Sequence, residues 1–127
     1  MSQDDHLVKS LDHCSLIVAN TGKALEFYKG ILGLEVDETR PDIGYPGAWL
    51  QVGSSQIHLL EVADPYASVN RPEHGGRDNH VALQVSDLEQ VIRRLQAADI
   101  SYSKSKSGRM ALFCRDFDDN AIELVEK

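Results

Sequence analysis

The 127-residue chain predicts an α+β fold made of two tandem βαβββ modules, and three observations carry that prediction. A strand-like run, Asp12-His13-Cys14-Ser15-Leu16-Ile17-Val18, returns 67 residues later as Asn79-His80-Val81-Ala82-Leu83-Gln84-Val85. The segment after each copy bears an apolar stripe at helical spacing: Ala24, Leu25 and Tyr28 in the first, Val91, Ile92 and Leu95 in the second. A further strand-like run, Gln56-Ile57-His58-Leu59-Leu60-Glu61, returns 65 residues on as Ala121-Ile122-Glu123-Leu124-Val125-Glu126. Self-similarity at a fixed spacing marks an internal repeat.

In the first copy, the strand over 12–18 leads into a helix that Asn20 or Thr21 caps and that Gly30 and Gly33 end. Two short strands follow, over 35–39 and 48–52, and the turn Gly53-Ser54-Ser55 opens the closing strand at 56–61. Residues 62–78, with Pro65, Pro72, Gly75 and Gly76, form the connection. In the second copy, Ser86 and Glu89 make a capping-box pattern ahead of the helix. Strands over 101–104 and 110–115 come next, and Asp118-Asp119-Asn120 turns the chain into the closing strand at 121–126. The length suits a single domain over 1–127, with module one at about 8–61 and module two at about 79–127.

Composition narrows the partners. Hydrophobic residues at 42% and charged residues at 26% are ordinary for a soluble globular protein. A net charge of −7 argues against nucleic acid, whose phosphates call for a basic surface, and leaves small anionic substrates open. The opening MSQDDH is acidic and lacks the apolar stretch of a signal peptide, and no run approaches the ~18 apolar residues of a membrane span. Two cysteines without paired spacing point to a reducing compartment, so the cytoplasm is expected. Cys14 falls on the helix-facing side of its strand and is read as packing, not as a nucleophile.

The strand period then sorts the histidines. Alternate residues face opposite sides of a sheet, so Cys14, Leu16 and Val18, like Val81, Leu83 and Val85, should lie beneath the helices. His13 and His80 then point to the helix-free face. In the closing strands Ile57 and Leu59, like Ile122 and Leu124, take the helix side, which sends His58 and Glu123 to the same face as the two histidines. The chain has five histidines, and His6 and His74 lie outside these strands. All three that remain occupy repeat-related places on one face, which is hard to ascribe to chance. Three imidazoles and a carboxylate suit a borderline divalent ion (Zn, Ni, Co, Mn or Fe) and are wrong for Ca or Mg. Around them, Tyr45 and Trp49 could line a cleft, although aromatics near strands more often fill a core. Arg71, His74 and Arg77, with Lys104, Lys106 and Arg109, could bind a carboxylate, a phosphate or a glutathione tail, although solvated loops are the commoner role for such residues.

With these residues in place, the chain resembles the vicinal oxygen chelate superfamily: glyoxalase I, fosfomycin-resistance thiol transferases, extradiol dioxygenases, methylmalonyl-CoA epimerase and bleomycin-binding proteins. The resemblance spans residues 11–126 and is carried by "DHCSLIVANTGKALEFYKGILGL", "SSQIHLLEV", "DNHVALQVSDLEQV" and "DFDDNAIELVE". It implies that the modules curl into an open eight-stranded sheet around a cleft. One metal would sit there, held by His13, His58, His80 and Glu123, with positions left open for two substrate oxygens. Histidine at 58 departs from glyoxalase I, which normally has glutamate or glutamine there. The resemblance also implies a homodimer acting on a small molecule, a thiol adduct among the candidates. The best-matching reaction is glyoxalase I-like isomerisation of an α-oxo thiohemiacetal, with Glu123 as the catalytic proton shuttle. The alternatives are fosfomycin-type thiol transfer, extradiol ring cleavage and metal-free binding. Fosfomycin enzymes usually extend past the matching glutamate, whereas four residues, Leu124 to Lys127, follow Glu123 here. Intact metal-ligand candidates count against a passive binder.

Overall fold

A computed structural model describes residues 6–127, and the acidic stretch 1–5 read above lies outside them. The chain runs β1 (His13–Ile17), α1 (Thr21–Leu25), β2 (Glu35–Val36), β3 (Gly47–Val52), β4 (Ser55–Leu60), β5 (His80–Val85), α2 (Leu88–Ala97), β6 (Tyr102–Lys104), β7 (Ala111–Arg115) and β8 (Ala121–Glu126). The result is βαβββ twice. The strands form two four-stranded sheets, ordered β1-β4-β3-β2 and β5-β8-β7-β6. In each, the first strand pairs in parallel with the last and the others pair antiparallel. The open eight-stranded surface expected from sequence is thus two separate halves, with β1 and β5 each at an outer edge of its sheet.

The repeat reaches down to individual registers. His13 pairs with Gln56 and His80 with Ala121, so His58 and Glu123 each stand two residues beyond their histidine's partner. Helix starts repeat as well. The Glu61 carboxylate accepts from the backbone N–H of Thr21 at 2.7 Å, and the Glu126 carboxylate does the same for Leu88 at 2.9 Å. The last residue of each sequence repeat therefore caps the helix of its own module, where anions suit the unpaired N–H groups.

Local departures from the sequence reading have local causes. Asn20 caps α1 as expected, accepting from Lys23 N–H at 2.8 Å. The helix then widens into a π-helical stretch, Glu26–Ile31, closed by Leu32 N–H on the Phe27 carbonyl at 3.0 Å. Gly30 lies inside that stretch and does not end it. The stop is Gly33, whose φ of 75° is easy for a residue without Cβ. At α2 the cap is Asp87, which accepts from Gln90 N–H, so the helix starts one residue later than Ser86 suggested. β2 is cut short at Val36 because the Asp37 carboxylate takes both the N–H and the hydroxyl of Thr39, a local turn that competes with the ladder.

Both helices and the helix-facing residues of both sheets share one apolar cluster, including Phe27, Leu50, Ile57 and Leu59 from module one and Leu95, Leu112, Ile122 and Leu124 from module two. A polar joint reinforces it. Tyr28 on the π-helical stretch donates to the Asp116 carboxylate at 2.6 Å, across from module one to module two. Asp116 also accepts from the N–H groups of Asp118 and Asn120, and the Asn120 amide donates to the Ile17 carbonyl at 3.0 Å. Arg94 on α2 donates to the Ile31 carbonyl at 3.0 Å.

Candidate metal centre

On the helix-free face of module one, three rings stack. His13 lies on His58 with ring centres 3.9 Å apart and planes 14° apart, and His58 lies on Trp49 at 4.5 Å and 10°. The strand register dictates this, because Trp49 pairs with His58 across β3 and β4. His13 Nδ1 meets the Asp12 carboxylate at 2.7 Å. His58 Nε2 meets the Gln56 side-chain oxygen at 2.8 Å, and the Gln56 amide nitrogen donates to Asp37 and to Gln51. Burial first, then the neighbouring His13, hold the His58 imidazole below its ordinary pKa.

Module two offers a carboxylate at the matching place. Glu123 is 3% exposed, with Oε1 3.3 Å from His80 Nε2 and Oε2 accepting from Arg109 at 2.6 Å. His80 Nδ1 meets the Asp78 backbone carbonyl at 2.9 Å, which fixes the proton on Nδ1. Nε2 then faces a carboxylate oxygen, as an ion pair when the ring is protonated and, when it is neutral, as one of two donors on either side of a place for a cation. Two donors each about 2.1 Å from one tetrahedral ion stand about 3.4 Å apart, close to the observed separation. The donor set fits a borderline divalent metal. Phe113 meets His80 edge-on at 5.1 Å, and His74 packs on Phe113 at 5.0 Å with its ring tilted by 58°.

The four residues expected to surround a metal therefore stand as two pairs, His13 with His58 and His80 with Glu123, one on each sheet. Among the described residues no three His, Cys, Asp or Glu side chains of the chain gather as a group able to hold an ion. The cationic candidates separate clearly. Arg71 binds Asp78 at 2.9 Å and Arg115 binds the same carboxylate at 2.9 Å, so Arg71 fastens the connection beside His80. Burial raises the Asp78 carboxyl, but hydrogen bonds from these two guanidiniums outweigh it and hold it below the ordinary value. Arg109 is spoken for by Glu123. Arg77 and Lys106, with His74 and Ser103, line an open cavity of about 510 Å³, and Lys104 is exposed nearby on β6. Tyr45 lies under the Arg40 guanidinium at 5.6 Å, whereas Trp49 joins the histidine stack. Cys14 is half-buried against the core, and burial raises its thiol pKa.

Sequence reading passed over Gln56, Asp12 and Asp78, which hold the three histidine rings. Gln56 was findable, since it sits two residues before His58 in the same strand and so shares its face. Asp12 directly precedes His13. The backbone carbonyl of Asp78 carries no sequence signal at all.

A family model described as the Glyoxalase/Bleomycin resistance protein/Dioxygenase superfamily matches residues 10–124. The chain is 28% identical over 97 residues to Glyoxylase I 4 of Arabidopsis thaliana, covering 76% of this chain and 55% of that protein. It is 26% identical over 95 residues to the mitochondrial methylmalonyl-CoA epimerase of Homo sapiens, covering 71% and 54%. The chain thus spans about half the length of these curated relatives. Among solved structures, the fosfomycin resistance protein FosX of Listeria monocytogenes aligns with a TM-score of 0.73 at 18% identity, covering 94% of this chain and 91% of that one. A glutamate-to-glutamine variant of the same FosX, complexed with Mn(II) and 1S,2S-dihydroxypropylphosphonic acid, aligns with a TM-score of 0.74 at 19% identity, covering 94% and 93%. At such identities the structural likeness carries the fold alone.

Proposed function

The chain belongs to the glyoxalase/bleomycin resistance protein/dioxygenase superfamily, and from that premise we propose that it is a metal-dependent enzyme of the vicinal oxygen chelate type. The observation that carries the reading is the buried Glu123 facing His80 Nε2, at the place in module two that His58 and His13 occupy in module one. The centre would be completed between two copies of the chain, module one of one copy meeting module two of the other. Two features favour that homodimer. Among the described residues, β1 and β5 each keep an outer edge without a strand partner, and Leu7, Val8 and Leu11 ahead of β1 are more than four-fifths exposed.

The preferred reaction is glyoxalase I-like: isomerisation of an α-oxo thiohemiacetal formed from a small aldehyde and a thiol. A bound divalent ion (Zn, Ni, Co, Mn or Fe) supplies stabilisation of negative charge on the substrate oxygens, worth several kcal/mol in the transition state. Glu123 takes the proton from one substrate carbon and returns it to the next, a transfer that suits a buried, positioned carboxylate. For that, Arg109 has to leave Oε2, and its side chain, 53% exposed at the end of the β6–β7 loop, would swing outward into solvent. Arg77 and Lys106, which line one cavity together with Glu73, would with Lys104 meet an anionic tail of the substrate. A reducing cytoplasm suits the two free thiols. No described helix is long and apolar enough to cross a membrane.

Opening of fosfomycin by a thiol or water is the second reading. The FosX chains are matched over more than nine-tenths of their length, whereas the glyoxylase and the epimerase are matched over about half. Ring cleavage by an Fe(II) form and metal-free binding rank behind both. The deciding experiment reconstitutes wild type and Glu123→Gln with each metal and assays hemithioacetal isomerisation, fosfomycin opening and catechol cleavage. Turnover in the first assay, lost in the variant, is the expected result. Turnover confined to another assay moves the assignment there, and metal binding without any turnover counts against all three reactions.

A further inference from the structure

We propose that His58 does not ligate the metal and instead positions His13, so that each centre is held by two imidazoles and one carboxylate: His13, His80 and Glu123. The proposal rests on the metal-centre reading above and sharpens it. An imidazole nitrogen offers its lone pair in the plane of its ring. The rings of His13 and His58 are 14° from parallel with centres 3.9 Å apart, so their planes run side by side and do not converge. An ion lying in the plane of one ring is well out of the plane of the other. One of the two can be a ligand, not both.

The surroundings choose between them. His58 is the middle layer of a three-ring sandwich, with Trp49 on its other face at 4.5 Å and 10°. Its Nε2 is tied to the Gln56 side-chain oxygen at 2.8 Å. The Gln56 amide is itself oriented by two acceptors, donating to Asp37 at 2.8 Å and to Gln51 at 2.9 Å, so its oxygen faces His58 and His58 is the donor. Turning His58 toward an ion would break two stacks and this hydrogen bond together. His13 is the outer layer, with its side chain 39% exposed. Its Nδ1 is held by the Asp12 carboxylate and its Nε2 is open. His80 repeats the pattern, with Nδ1 held by the Asp78 carbonyl and Nε2 facing Glu123. Tethering of one ring nitrogen by an oxygen is how proteins orient a ligating histidine. His13 and His80 share a tether at Nδ1 that leaves Nε2 outward, at repeat-related positions, whereas His58 is tethered at Nε2, the nitrogen farther from the backbone.

The role left to His58 is to fix the plane of the His13 ring from behind. A three-ligand centre keeps one more position for substrate oxygens than a four-ligand centre does, which suits a substrate that chelates through two of them.

The test uses the full chain and zinc, with histidine tautomers read by 15N imidazole NMR and affinity read by competition with a chromogenic chelator. Zinc added to wild type should shift Nε2 of His13 and His80 strongly and leave both nitrogens of His58 at the positions of a neutral ring protonated on Nε2. His58→Phe, which keeps an aromatic layer, should hold zinc within about tenfold of wild type, and His58→Ala should fall further, by about 10–100-fold. His13→Ala should lose more than about 100-fold. A zinc-induced shift of a His58 nitrogen to the range of a metallated ring overturns the proposal, as does a loss in His58→Phe equal to that in His13→Ala. The NMR measurement needs no variant, so misfolding of a substituted chain does not blunt it. Failure of wild type itself to bind zinc overturns the underlying metal-centre reading, and this proposal with it.

Discussion

Tyr28 buries its phenol completely and spends its hydroxyl on Asp116, and burial, followed by that carboxylate, drives its pKa far above the ordinary value. Tyr28→Phe keeps the ring and removes one hydrogen bond, while Asn120 still donates to the same carboxylate oxygen. The expected cost is about 1–2 kcal/mol, read as a lower urea midpoint at unchanged slope. The two thiols allow a second prediction. Burial, with Asp116 adding to it, pushes the Cys114 thiol up to about 12, and burial raises Cys14 in the same direction. A raised pKa means little thiolate at pH 8, so a disulfide reagent should label native protein at least about tenfold more slowly than urea-unfolded protein, and labelling should speed up as pH rises. Fast native labelling at pH 8 would show that these thiols are not packed as described. At this scale the sequence was legible where strand alternation decides the matter, as it did for the faces of His13, His80 and Glu123. It was not legible for Arg71 and Arg109. Their carboxylate partners, Asp78 and Glu123, become neighbours only when loop, strand and turn come together.

Each module closes on itself through one carboxylate, Glu61 onto the start of α1 and Glu126 onto the start of α2. Asn20 and Asp87 already cap these helices, so the glutamates fasten helix to sheet as well as satisfying an N–H group. Removing either should loosen that joint. Glu61→Ala and Glu126→Ala are each expected to cost about 0.5–2 kcal/mol, additively in the double variant because they belong to different modules. Strong non-additivity in denaturant titrations would show the two joints to be coupled through the shared core. Element order was readable from the repeat, because a strand-helix-strand-strand-strand pattern that occurs twice constrains each copy by the other. Three details were not. The π-helical stretch has no periodicity of its own, the shift of the α2 cap from Ser86 to Asp87 is decided by backbone geometry, and β2 ends early at the side-chain turn of Asp37.

The whole molecule poses a question of assembly, because the proposed ligands stand as two pairs on two sheets whose helix-facing residues share one core. Sequence alone could place four residues on one face of a repeat but could not say which face meets which, since that depends on how the modules pack. If each centre joins module one of one chain to module two of another, variants in different modules should rescue one another. His13→Ala disables every module-one half-site, and Glu123→Gln disables every module-two half-site, so either homodimer is inactive. A heterodimer of the two pairs the intact module one of the Glu123→Gln chain with the intact module two of the His13→Ala chain, rebuilding one complete centre. Random exchange makes half the dimers mixed, and each has one working centre of two, so about a quarter of wild-type turnover should return. Mixing, brief partial unfolding to permit exchange and an assay of turnover would measure it. A cleft built within single chains gives no recovery, because every chain in the mixture then carries its own defect. Mass measurement on the same samples should show a particle near twice the 14.1 kDa chain. Recovery at that mass would establish that the metal centre is a property of the pair, while a monomer with no recovery would return the two half-sites to a single chain and demand a different packing of its modules.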